Sequence, residues 1–410
     1  MHLQALTAPG VRLARTAVAV AFTGNGLAFA SFISRTPALR DGLGLSVAQL
    51  GLLLLCLSGG AMAGLALSGP LVHRLGSART VLAGAVLVGL GLAGLASGLL
   101  SGIVIAAATG LVLVGSGSGV WDVAMNVEGA AVERELGRPL MPRLHAGFSL
   151  GTVAGAGLGA ASAAAGVPLA GQVFVVAVLV PLVVFGAVRR FLPARADPGA
   201  AADVGSGIRT AWREPRTLVI GLVVLAFAFT EGAANEWMAI ALVDGYGTSE
   251  AVGAVGFGLF VAAMTAGRLF GGAALERFGR VAVLRATAVL ALGGLLLVVL
   301  GGSTGWALAG ALVWGSGAAL GFPVGMSAAA DDTARAAARV SVVSSIGYTA
   351  FLVGAPVIGL LAAHLGILRA LLMVAVALLL GLLTAGAARP LTPREGGEPV
   401  DGCANGTFVR

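Results

Sequence analysis

The side chains able to do chemistry in this chain are few, and most lie in apolar surroundings. Asp122 and Asn126 are four residues apart, so on a helix they share one face, with Trp121 beside them. Glu231, Asn235 and Met238 repeat helical spacing on a later segment, with Glu236 and Trp237 off that face. A carboxylate withdrawn from water loses solvation, which disfavours its charged form. Such a group can take a proton from one side of a barrier and release it to the other. Glu231 is the first candidate for that role and Asp122 the second. Trp121, Asp122, Asn126 and Asn235 are also candidates for binding a polar solute; the plainer alternative for Asp122 and Asn126 is an interhelical clamp. Glu236 lies nearer the outer end; it is a weaker candidate for function, and the plainer reading is a hydrated acid.

Three further solute-binding candidates are less specific. Asn25 lies between Gly24 and Gly26, which admit either a solute or a closely packed helix. Arg35, two residues before Pro37, could hold an anionic group, pair with an acid of an outer gate, or snorkel to the surface. Tyr348 carries a hydroxyl that needs a partner. Elsewhere, Glu128, Glu133, Asp331 and Asp332 are followed by Arg134, Arg138, Arg143, Arg335 and Arg339. With His145, which can titrate near neutral pH, they suit an inner gate whose ion pairs break and re-form. Glu128, Arg143, His145, Asp331 and Arg335 are its candidate members. The alternative is a solvated rim whose pairs contribute ~0–1 kcal/mol each. Arg268, inside an apolar run, reads as structural.

Other chemistries are excluded by composition. All 25 basic residues among the 410 are arginine, so no P-loop, Schiff-base or kinase lysine exists. HExxH is absent. An intramembrane protease would have to use Ser118 or Ser149 with His145, and a membrane sensor would want a large signalling domain. Gly89-Leu-Gly91-Leu-Ala-Gly94 fits GxGxxG inside an apolar run with no preceding strand, and reads as packing. Gly151, Gly155 and Gly159 have the spacing of helix contacts. No metal or cofactor is expected, and Cys56 and Cys403 are not expected to pair. The net charge of +7 could suggest nucleic acid, but the arginines sit between apolar runs and form no patch.

The elements that must position these residues are membrane helices. The chain is 58% hydrophobic and 10% charged, against ~45–50% and ~25% for soluble domains. Twelve apolar runs reach the ~20 residues that cross a bilayer; they fall near 14–38, 46–70, 79–99, 102–130, 144–165, 168–190, 217–242, 250–274, 281–301, 304–329, 340–363 and 367–388. The expected fold is therefore all-α and polytopic, with twelve transmembrane helices in two pseudo-symmetric six-helix bundles. These occupy 1–190 and 217–388, joined by a flexible cytoplasmic linker at 191–216 and followed by a disordered tail at 389–410. Only Arg35, Arg40 and Arg369 fall on the side away from the termini, so both termini are expected in the cytoplasm. Ala28-Phe29-Ala30 mimics a signal-peptide cleavage site, but the first run has a counterpart in the second half, and no cleavage is expected.

The halves echo each other. Gly69-Pro-Leu-Val-His73-Arg74-Leu-Gly76 returns 203 residues later as Gly272-Ala-Ala-Leu-Glu276-Arg277-Phe-Gly279. Gly115-Ser116-Gly117 returns as Gly315-Ser316-Gly317, and Gly147-Phe148-Ser149 as Gly347-Tyr348-Thr349. Duplicated halves with a site between them are a transporter architecture.

On these motifs the chain resembles the major facilitator superfamily over nearly its whole length, with His73 where the signature loop usually has an aspartate. Phe32-Ile-Ser-Arg35-Thr-Pro37, Trp121-Asp122-Val-Ala-Met-Asn126-Val-Glu128-Gly and Arg138-Pro-Leu-Met-Pro142-Arg-Leu-His145-Ala-Gly-Phe148 resemble its MosC/YbjJ-like subgroup. One member of that subgroup is associated with rhizopine, an inositol-derived compound. The resemblance implies that helices 1, 4, 7 and 10 line a central cavity. It implies a monomeric secondary active transporter in a bacterial inner membrane. The expected cargo is a small polar solute, such as a sugar, polyol or inositol derivative, taken up with protons. The competing reading is a proton-driven exporter of drugs or metabolites.

Overall fold

The computed structural model describes residues 8–137, 140–192, 204–332 and 335–390. The first half contains α1 (Ala8–Ile33), a short α2 (Thr36–Gly42), α3 (Val47–Ser101), α4 (Val104–Leu136), α5 (Met141–Ala164) and α6 (Leu169–Val188). After α7 (Val204–Ala211) the second half contains α8 (Pro215–Tyr246), α9 (Glu250–Leu300), α10 (Thr304–Ala318), α11 (Gly321–Ala329), α12 (Ala336–Leu365), α13 (Ile367–Ala370) and α14 (Leu372–Thr384). α3 and α9 are 55 and 51 residues long, more than twice what one crossing needs. Each is two crossings joined at a glycine: Gly76 (φ 77°, ψ 164°) and Gly279 (φ 77°, ψ 163°). Only glycine takes this backbone without strain. Counting both crossings of each, and α10 with α11 and α13 with α14 as one each, the chain crosses twelve times. We call the end bearing the first and last helix termini the near face and the opposite end the far face.

Lipid offers no hydrophobic drive to join helices, so small residues let backbones approach. Gly60 and Gly64 of α3 meet the carbonyls of Val112 and Ser116, and Gly115 meets that of Leu57. In the second half Gly315 meets the carbonyl of Phe260, the residue 203 after Leu57. A Cβ at any of these positions would collide with backbone. Gly151, Gly155 and Gly159 of α5 pack on Thr23, Leu27 and Ser34 in the same way, as their spacing predicts. Gly89 and Gly91 of the GxGxxG match abut the carbonyls of Ala177 and Gly110, each 2.6 Å from where a Cβ would stand, so that motif is also packing. Large apolar side chains face outward at the perimeter, Leu100, Phe270 and Leu383 among them, each more than three-quarters exposed.

The repeat extends to the helix starts. Ser46 accepts from the Gln49 N–H (3.2 Å) in a full capping box, and Ser249, 203 residues later, accepts from that of Val252 (3.4 Å). The halves meet where α3 packs on α12 and α5 on α9. Gly51 places its missing Cβ 2.6 Å from the Ala355 carbonyl oxygen, near the far face. The expected linker is partly ordered: Ile208 and Ala211 of α7 pack with Ala338, Val342 and Ile346 of α12. The rest of it, 193–203, and the expected tail beyond 390 lie outside the described residues, as do Arg138 and Cys403.

Candidate functional site between the halves

Asp122 and Asn126 stand half-buried on α4, as their spacing predicts. The Asn126 side-chain amide donates to the Asp122 carbonyl oxygen at 2.8 Å and to its carboxylate at 3.4 Å. Asn126 thereby fixes the rotamer of Asp122 without neutralising it. Tyr348 of α12, in the other half, lies within electrostatic reach of Asp122 across the seam. Its ring leans on Phe322 and Phe351, with centroids 6.4 and 6.5 Å away.

The second cluster is built on α8. Glu231 Oε2 accepts from Arg268 Nη2 at 2.8 Å, and Arg268 Nε also donates to the Ala319 carbonyl at 3.3 Å. Asn235 lies one turn beyond Glu231 and is likewise only partly buried, whereas Ala233, Ala234, Glu236, Trp237 and Met238 around it are buried. From the first half, His145 of α5 lies within electrostatic reach of Arg268 and stacks edge-on against Phe22 at 5.3 Å. The sequence reading of Arg268 as structural did not include this pairing with Glu231. A cation inside a membrane segment is by default a functional candidate, and that rule was the available signal.

Several other candidates sit elsewhere. Trp121 is fully buried inside the first half, wedged against Gly24 and Gly84, and its indole N–H has no partner among the described residues. Asn25 is 3% exposed, and Gly26 beside it abuts the Phe148 carbonyl, so these glycines serve helix packing. Arg35 is committed to protein partners. It pairs with Glu250 of the second half through two bonds (2.5 and 2.9 Å) and donates at 2.9 Å to Gln172 and to the Val167 carbonyl. Arg40 pairs with Asp244, again across the halves, and Thr36 donates to the Glu236 carbonyl at 3.4 Å. These contacts form a latch at the far face. Glu250, Asp244 and Gln172 were not singled out from sequence, because each pairing spans more than a hundred residues.

The near-face candidates do not meet one another. Glu128 stays within the first half, accepting from the Ser77 hydroxyl and from the Leu192 N–H at 2.7 Å. Asp331 stays within the second, paired with Arg280 (2.6 Å) and Arg216 (2.9 Å). Arg335 pairs with Glu214 at 3.0 Å, while Arg143 and His145 are exposed on the other half. Glu214 stands at the N-cap position of α8 and holds Arg339 (2.6 Å) and Thr217 (2.9 Å); mainly the Arg339 bond pulls its carboxyl down to about 2.

Twelve apolar crossings in two related halves, with carboxylates and amides held along the seam, define a polytopic membrane transporter. Residues 16–350 match the Major Facilitator Superfamily, and the chain belongs to it. It is thus a multi-pass secondary transporter of a small-molecule substrate, in a family of transporters and not of enzymes. It is 30% identical to the membrane protein MosC of Rhizobium meliloti over 405 residues, covering 96% of this chain and 94% of that one. An uncharacterised MFS-type transporter of Yersinia pestis is 30% identical over 280 residues, 68% of this chain and 70% of that one. Among solved structures, a mutant of the nucleoside transporter NupG superposes with a TM-score of 0.78 at 13% identity, covering 91% of this chain and 99% of that one. The transporter FucP in its outward conformation gives 0.65 at 15% identity, covering 93% and 100%.

Proposed function

We propose that the chain takes up a small polar solute, of the sugar, polyol or inositol-derivative class, together with protons. On this reading it sits as a monomer in a bacterial inner membrane with both termini in the cytoplasm. The excess of arginine at the near face supports that orientation. The solute binds in the seam against Asp122, Asn126, Asn235 and Tyr348. The conformation is then closed outward by the Arg35–Glu250 and Arg40–Asp244 latch. Arg143 and His145 meet Asp331 and Arg335 only in the opposite state.

The observation that carries the coupling is the Glu231–Arg268 pair at 2.8 Å, part-accessible and within reach of His145 of the other half. A proton delivered to Glu231 dissolves the pair and frees Arg268. The change in charge at the seam then biases which end closes. Coupling requires that solute binding differ between the two protonation states.

Proteoliposomes with imposed pH gradients test this. Solute accumulation is expected when the outside is acidic, and accumulation only under the opposite gradient would assign the chain to export. Glu231→Gln is expected to abolish uphill uptake while sparing solute exchange. Unchanged uphill uptake in that variant removes Glu231 from the role.

A further inference from the structure

Glu236 belongs to neither cluster. It lies on α8 with 6% of its surface exposed, in a stretch where Ala233, Ala234, Trp237 and Ile240 are each at most 1% exposed. Its carboxylate makes no hydrogen bond or ion pair with the described residues. The charges on the elements packed around it are engaged elsewhere or distant. On α8 itself, Glu231 holds Arg268, and Asp244 holds Arg40. From α2, Arg40 and Asp41 hold each other at 2.7 Å. Glu250 of α9 holds Arg35. α12 brings Tyr348 and His364, and α13 brings Arg369; none of the three is hydrogen-bonded or ion-paired to Glu236. α10, α11 and α14 carry no titratable group.

A charge buried without a partner costs several kcal/mol, and a carboxyl so placed takes up a proton instead. The position of Glu236 gives that proton a mechanical meaning. The Glu236 carbonyl receives the Thr36 hydroxyl of the first half, so the residue lies on the closed far contact itself. Asp244 of the latch follows eight residues later, about 12 Å along the helix. Parting the halves at this end strips Thr36 and α2 from α8 and lets water in.

We propose that Glu236 is a proton-binding site sealed beneath the far-face latch: the far end closes only over neutral Glu236 and opens as Glu236 gives its proton to water. The proton leaves as hydronium or to buffer, and the carboxylate remains. Glu236 thereby loads from the far side, separately from Glu231, which is already paired with a cation. This proton returns to the side it came from, so it gates the far end and is not the proton carried with solute; the site does not depend on which solute is carried.

The test uses the full chain in nanodiscs with Cys56 and Cys403 replaced by Ala and nitroxide labels at Leu100→Cys and Leu300→Cys, exposed far-face positions of the two halves. In this parent the interlabel distance is expected to be short at acidic pH and to lengthen at alkaline pH. Glu236→Gln, an uncharged mimic of the protonated acid, is expected to hold the short distance at both, and Glu236→Leu to do the same should the amide misfold. Infrared difference spectra should show a protonated-acid carbonyl band at acidic pH that is lost in either variant. A parent distance that ignores pH, a full pH shift retained in the variants, or a band that survives them overturns the proposal. Neither measurement needs solute. pH-driven uptake with the shift intact in Glu236→Gln removes this site and leaves the proposed function. The shift and band without any pH-driven uptake do the reverse.

Discussion

At the near face each half is tied by one carboxylate, Glu128 in the first and Asp331 in the second, 203 residues apart. The glycine that turns the chain beside each has the same backbone angles to within a degree. The partners differ. Glu128 is 3% exposed and takes neutral donors, the Ser77 hydroxyl and the Leu192 N–H. Asp331 takes two arginines, Arg280 and Arg216, and these reach on to Ser327 Oγ and the Arg389 carbonyl, both at 2.9 Å. Duplication preserved the backbone device while the chemistry diverged. A dry clasp depends on its acid being present, whereas a clasp of half-exposed ions depends on the solution around it.

The sharpest break should come from Glu128→Ala, which leaves the part-buried Ser77 hydroxyl and Leu192 N–H without their acceptor. Each orphaned donor costs about 1–3 kcal/mol, and we expect a fall in Tm that salt does not change. Gly76→Ala and Gly279→Ala should cost about 1–2 kcal/mol each, the penalty of placing a Cβ in left-handed backbone. Equal losses in the two would confirm that the turn is shared; unequal losses would show that the clasps bear on it. Asp331→Asn should cost about 1 kcal/mol, because Arg216 and Arg280 remain partly solvated. Its difference from wild type should shrink as salt rises.

The smallest effect concerns Glu214. Its folded value of about 2 lies below the ordinary 4.5, so its contribution is complete above about pH 5 and fades as pH falls towards 2. Hydrogen exchange over 208–218 should accelerate in that window and not above it. In Arg339→Ala, which removes its main partner, the acid dependence should largely disappear.

Most of the fold was legible in the chain. Twelve apolar runs became twelve crossings because backbone in lipid must satisfy its own hydrogen bonds within each segment. Gly76 and Gly279 marked the turns, and Gly151, Gly155 and Gly159 marked a helix contact, because these constraints are local. The candidate site was legible only in part. Helical spacing joined Asp122 to Asn126, and the two are hydrogen-bonded. It could not show that Trp121, adjacent to Asp122, turns into the first half. Nor could it show that Arg35 would spend its donors on Glu250, Gln172 and Val167.

Composition and periodicity alone determined that the chain lives in a membrane as two sister bundles, since hydropathy and repeat spacing are properties of neighbours along the backbone. Which acids are paired and which are left alone was decided by tertiary structure. Glu231 and Glu236 are five residues apart on one helix, yet one pairs with Arg268 and the other pairs with no charge among the described residues, because the turn of the helix presents them to different neighbours.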